Sequence, residues 1–226
     1  MIVAQQSEGI AAEFDRPAKP AHQSRSVVMA KHGIVATSHP LAAQAGLEIL
    51  KRGGNAADAA IAANAMLGVV EPMSCGIGGD LFVIYWDNKT QRLYGLNASG
   101  RSPFKLTRAI LKEKVAPSNQ IPDTGPLSWS VPGCVDGWEE LRTRFGTRPL
   151  SELLQASIET AEQGFPVSEI IGSGWQGAVK NLSAWPDSKR VYLKEGRAPQ
   201  VGEIMTLPEL AASYRAIAAE GRDVFY

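Results

Sequence analysis

Arg101 is the side chain whose setting most invites chemistry. It stands in Asn97-Ala98-Ser99-Gly100-Arg101-Ser102-Pro103, directly after an apolar stretch of strand length. A guanidinium held there offers a planar fork matched to a carboxylate, with charge-assisted bonds worth roughly 1.5 to 3 kcal/mol each. A structural ion pair or a solvated surface arginine fits the same position, and on position alone those are the commoner fates.

Other chemistries find less support. His22, His32 and His39 have no HExxH or comparable ligand spacing, so no metal site is expected. Gly76, Gly78 and Gly79 suggest a phosphate loop, but the order here is helix, loop, strand, whereas a dinucleotide fingerprint needs strand, loop, helix and a third glycine where this chain has Leu81. The glycines are better read as a turn serving backbone geometry. Ser99 comes nearest to a G-x-S-x-G elbow and lacks its first glycine. Cys75 and Cys134 lack a second pair at zinc spacing and read as two buried thiols, with a disulfide as the alternative.

The elements that must position Arg101 follow from periodicity. Residues 1–24 show no sustained period and are expected to form a flexible tail, with folded sequence over 25–226. Val27 to Met29 and Ile34 to Ala36, on either side of Gly33, suit a bent or paired strand. Pro40 opens a helix carrying Ala43, Leu47 and Leu50, which Gly53-Gly54 ends. Asn55 caps a second, alanine-rich helix, with Asp58 three residues on to answer its unpaired N–H groups. LFVIYW from Leu81 is a continuous apolar run, expected of a strand covered on both faces, and Arg92 to Asn97 returns antiparallel.

Trp138, Leu141 and Phe145 share a face of a helix ending at Gly146, and Leu150, Leu153, Leu154 and Ile158 mark another. Residues 168–206 read as mostly irregular, and a last helix runs from Pro208 to Gly221. The ending Val224-Phe225-Tyr226 has no polar tail, which suggests an interrupted domain. The pattern is α+β, with helices against both sides of a sheet.

Lys and Arg number 23, as do Asp and Glu, so nothing draws the surface towards nucleic acid or anionic lipid. The opening residues lack a secretory pattern, and the alanine-rich stretch is too short and interrupted to span a bilayer. A cytoplasmic location is expected.

Read together, GIVATSHPLAAQAGLEILKRGGNAADAAIAANAMLGVVEP, GIGGDLFVIYWD, LNASGRSP and VPGCVDGWEELRTRFGTRPLSELLQASIETAEQGFPVS resemble the large-subunit opening of the gamma-glutamyltranspeptidase family in order, spacing and residue choice. The resemblance runs from about Ser26 to Tyr226. It implies part of an alpha-beta-beta-alpha N-terminal nucleophile hydrolase sandwich, made as one precursor that cleaves itself ahead of a threonine. That threonine attacks a gamma-glutamyl amide while its freed amine acts as base, and backbone donors steady the oxyanion.

On this resemblance Arg101 matches the arginine that grips the substrate's alpha-carboxylate. The catalytic threonine is expected beyond Tyr226, so no catalytic residue is expected in this chain, and the partner is a small subunit. No cofactor is implied. The activity implied is that of a gamma-glutamyltransferase or glutathione hydrolase. NASGRSP departs from the R-E-T-A-P type segment and looks more like a cytoplasmic branch that includes amidases of other small carboxylates such as oxamate. A non-catalytic half that pairs with a separate chain is the other alternative.

Overall fold

The computed structural model describes residues 28–226. The expected tail over 1–24, and His22 within it, lie outside the described residues. All the elements below belong to one compact unit, His32–Tyr226.

Local chemistry sets the first two helices. The ring of His39 accepts the Leu41 N–H (3.2 Å) at the start of α1 (Pro40–Lys51). The capping box anticipated for α2 (Ala56–Val70) is formed: Asn55 Oδ1 accepts the Asp58 N–H (3.1 Å), and Asp58 Oδ2 accepts the Asn55 N–H (2.9 Å). Small side chains on nearly every side let α2 pack centrally, with Ala57, Ile61, Ala65, Val69 and Val70 almost wholly buried.

Strands β1 (Leu81–Asp87) and β2 (Arg92–Ala98) form an antiparallel hairpin in the register Leu81↔Ala98 and Tyr85↔Tyr94. Asp87 pins the turn by accepting the Lys89 N–H (3.0 Å) and the Thr90 hydroxyl (2.7 Å). Then follow α3 (Arg108–Val115), α4 (Cys134–Phe145), α5 (Leu150–Leu153), α6 (Gln155–Gln163), β3 (Phe165–Pro166), α7 (Glu169–Ser183), α8 (Pro186–Tyr192), β4 (Ile204–Met205) and α9 (Pro208–Glu220). The two short strands β3 and β4 pair antiparallel. No described helix is long and apolar enough to cross a membrane.

The core lies where α2 meets α1, α4, α5 and α6, with α9 closing over α5 and α6. Two polar anchors hold it. Asp58, 0% exposed, accepts hydrogen bonds from the Thr147 N–H (2.9 Å), the Thr147 hydroxyl (2.6 Å) and the Arg148 N–H (3.2 Å), tying α2 to the segment after α4. Tyr214 on α9, also fully buried, donates its hydroxyl to Ala65 O (3.0 Å) and meets Trp138 edge to face at 6.0 Å. Large rings buried this way bring both area and a directional contact.

Four expectations need correction. Residues 32–38 form no strand, and Ile34 is exposed; an extended segment with no neighbour to bond its backbone is not a strand. The hairpin is covered on one face, where Tyr85 stacks on Phe145 of α4 at 4.3 Å; its other face presents Phe82, Ile84, Trp86 and Leu93 to solvent. Helices therefore do not flank both sides of this sheet. Residues 168–206, read as mostly irregular, contain α7 and α8. Ile171, Trp175, Val179 and Leu182 do carry a helical period, obscured by three interspersed glycines, of which Gly172 packs against Val167 and Val201. The helix marked by Leu150 to Ile158 is broken at Leu154 into α5 and α6.

Candidate functional site

The end of β2 is held by a second strand-like segment. Val131 N–H donates to Arg101 O (2.8 Å), and the Ser130 hydroxyl donates to Ser99 O (3.1 Å). Asn97 Oδ1 accepts the Ser99 N–H (3.0 Å), turning the chain as it leaves the strand.

Two glycines make this crossing possible. Gly100 has φ +81°, and a Cβ there would lie 1.8 Å from Val131 O; a Cβ on Gly133 would lie 2.1 Å from Ala98 O. Any side chain at either position would force the segments apart and move Arg101.

The crossing is fastened to α4 from both sides. Gly133, the N-cap of α4, has no side chain to offer, so Gly79 O accepts both the Gly133 N–H (3.0 Å) and the Cys134 N–H (3.1 Å). This is the geometric task of the glycine turn, which lies between α2 and β1 as the sequence indicated. The Tyr226 hydroxyl donates to Pro132 O (2.7 Å) and accepts the Asp136 N–H (3.1 Å).

From this rigid base the Arg101 side chain is exposed and makes no hydrogen bond or ion pair among the described residues. The structural ion pair considered for it is thus not formed there. A free guanidinium on a constrained backbone can receive an anion without first breaking an internal contact.

Four threonine hydroxyls are engaged in local hydrogen bonds, and both thiols have raised pKa values. Thr147 serves Asp58, Thr107 Oγ1 accepts the Ile110 N–H (3.3 Å) to cap α3, Thr90 serves Asp87, and Thr143 donates to Glu139 (3.2 Å). Both cysteines are free thiols; Cys134 is buried and Cys75 half-buried. Burial, reinforced by Cys75 and Asp80, pushes the Cys134 thiol up to about 12, so it holds its proton at neutral pH. Burial and then Glu71 also raise Cys75.

Sequence reasoning passed over Asn64. Its Oδ1 accepts the Trp138 indole N–H (2.8 Å) and the Cys134 thiol (3.6 Å), and it lines a cavity of about 400 Å³ with the glycine turn and both cysteines. The only signal was an asparagine interrupting an alanine-rich helix.

The family model for Gamma-glutamyltranspeptidase matches residues 42–226. The glutathione hydrolase proenzyme of Bacillus subtilis (strain 168) is 34% identical over 218 residues, covering 95% of this chain and 37% of that protein. Among solved structures, Helicobacter pylori gamma-glutamyltranspeptidase superposes with a TM-score of 0.81 at 28% identity, covering 87% of this chain and 56% of that one. A cephalosporin acylase from Bacillus halodurans gives a TM-score of 0.83 at 41% identity, covering 95% and 41%. The chain thus spans little more than a third of that curated relative.

Proposed function

Because this chain belongs to the gamma-glutamyltranspeptidase family, we propose that it supplies the carboxylate-binding part of an N-terminal nucleophile amide hydrolase or acyl transferase. Its fold is α+β, matching the large-subunit part of those enzymes' sandwich. Arg101 holds the alpha-carboxylate of a gamma-glutamyl amide in its guanidinium fork. A threonine in the part of the family's length that this chain does not cover attacks the amide carbon, its own alpha-amine taking the proton. The amine leaves, and water or a second amine releases the acyl group.

The observation that carries this reading is the unpaired Arg101 guanidinium on a glycine-enforced crossing. The outer face of β1–β2 supports the partner it requires. Phe82, Ile84, Trp86 and Leu93 are 52% to 82% exposed on a two-stranded sheet, a contiguous apolar surface of the kind that marks an interface. We assign that face to the small subunit.

A second reading concerns substrate alone. The similarity to a cephalosporin acylase, together with Gly100-Arg101-Ser102-Pro103, favours an amide of another small carboxylate, oxamate included. The Arg101 contact serves either.

The test is kinetic. The chain alone should not hydrolyse gamma-glutamyl p-nitroanilide, and co-production with the remaining family length should restore turnover. In the restored enzyme Arg101→Lys should raise KM about tenfold or more with a smaller change in kcat, because an ammonium cannot form the two-pronged contact. Turnover by the isolated chain would remove the nucleophile from the partner, and an unchanged KM would return Arg101 to the solvated surface.

A further inference from the structure

A second cavity, also about 400 Å³, opens between α7, α8 and the segment that leads into Ser130 and Val131. Trp129, Trp175, Trp185 and Tyr192 line it, with Met73 and Asp123 also on its wall. The volume falls in the range of small-molecule sites, which combine apolar walls with a few polar groups.

Its geometry is built rather than incidental. Trp175 is 1% exposed, and its indole N–H donates to Tyr192 O (2.8 Å), which fixes one wall. The Trp175 and Tyr192 rings lie 6.4 Å apart and tilted. Trp129 and Trp185 form a second tilted pair at 6.4 Å, and these two remain 59% and 45% exposed. The Asp123 carboxylate is exposed, with no hydrogen-bond or ion-pair partner among the described residues. Aromatic faces and an unpaired carboxylate share one preference, a cation carried on a flat apolar body.

The cavity is also joined to Arg101. Trp129 lies two residues before Val131, whose N–H binds Arg101 O, so the Trp129 and Arg101 backbones are within about 12 Å of each other. We propose that this cavity binds a flat aromatic ring bearing a cationic amine: the free amine, protonated once the C–N bond is broken, that is released from the amide whose acid-side portion Arg101 holds. Its place in the reaction rests on the function proposed above, while the binding itself requires no chemistry.

Three phenols that share one para-substituted ring and differ in the charge of the substituent test it: cationic tyramine, neutral p-cresol and anionic 4-hydroxyphenylacetate, titrated calorimetrically into the chain. Tyramine should bind best and the anionic 4-hydroxyphenylacetate worst. Asp123→Asn should weaken tyramine about fivefold and leave p-cresol unchanged, as for one partly exposed charge contact. Trp185→Ala should weaken tyramine and p-cresol alike, with an unchanged circular dichroism spectrum showing that the fold survives. Arg101→Lys should leave tyramine binding intact, which separates this proposal from the carboxylate site.

No binding at millimolar tyramine, no effect of Asp123→Asn or of Trp185→Ala, or a preference for the anion would each overturn the proposal. Tyramine binding that disappears when the chain is co-produced with the remaining family length would give the cavity to polypeptide and overturn it too.

Discussion

Asp58 and Ile84 lie in neighbouring layers of the molecule and face opposite conditions. Asp58 is 0% exposed, and its carboxylate accepts from the N–H groups of Asn55, Thr147 and Arg148 and from the Thr147 hydroxyl. Ile84 is 82% exposed in the middle of β1, with Phe82 and Trp86 beside it on the same face. A helical layer that answers its buried carboxylate from within needs no other polypeptide at that point. A hairpin face left apolar and open has its contacts still to make, and Arg101 stands at the end of that same hairpin. The difference separates what stabilises this chain from what it offers to something else.

The largest expected effect tests the closed side. Asp58→Ala leaves four donors without their acceptor and should lower stability by about 3 kcal/mol, read as a fall in the urea midpoint. The same carboxylate gives that layer a pH dependence. Burial alone would raise its pKa, but the hydrogen bonds from Thr147, Asn55 and Arg148 outweigh burial and hold it below the ordinary aspartate value. The stability it contributes is therefore fully present above its unfolded pKa near 4 and is lost as pH falls through the lower folded value. Acid titration of the urea midpoint should show a decline below pH 4 that Asp58→Ala lacks; identical acid limbs would assign the decline to other carboxylates.

A smaller effect is expected at the other anchor of the same layer. Tyr214→Phe keeps the ring against Trp138 but leaves Ala65 O without the hydroxyl, a loss of about 1 kcal/mol. A change as large as that at Asp58 would mean that Tyr214 organises the layer rather than fastening α9 to it.

What the sequence disclosed divides along the same line. The Asn55–Asp58 cap, the glycine stop after α1 and the face shared by Trp138, Leu141 and Phe145 were legible because each is a local pattern with a local cause. LFVIYW misled because an apolar run reports that both faces avoid water, not which polypeptide covers each one. Glycines 172, 174 and 177 concealed α7 by supplying breaker signals inside a helical period. At the site, the position of Arg101 was legible and its freedom from internal partners was not, since ion pairing is decided by distant segments. The aromatic cavity was unreadable for the same reason: its four rings come from a loop, two helices and the link between them, spread over more than sixty residues.

The smallest expected change in stability carries the most information about the open side. Ile84→Thr retains the branched Cβ that suits a strand and removes apolar surface only from the outer face, so the urea midpoint should move by no more than about 0.5 kcal/mol equivalent. If the face serves the small subunit, the same substitution should weaken association with the co-produced remaining length by about tenfold, as for a central interface residue. A loss near 2 kcal/mol in the isolated chain would show Ile84 already buried by its own polypeptide, and the contrast with Asp58 would collapse. Unchanged stability together with unchanged association would leave that contrast standing but move the docking surface away from β1–β2, and the end of β2 would then have to present Arg101 to substrate without the partner covering the hairpin.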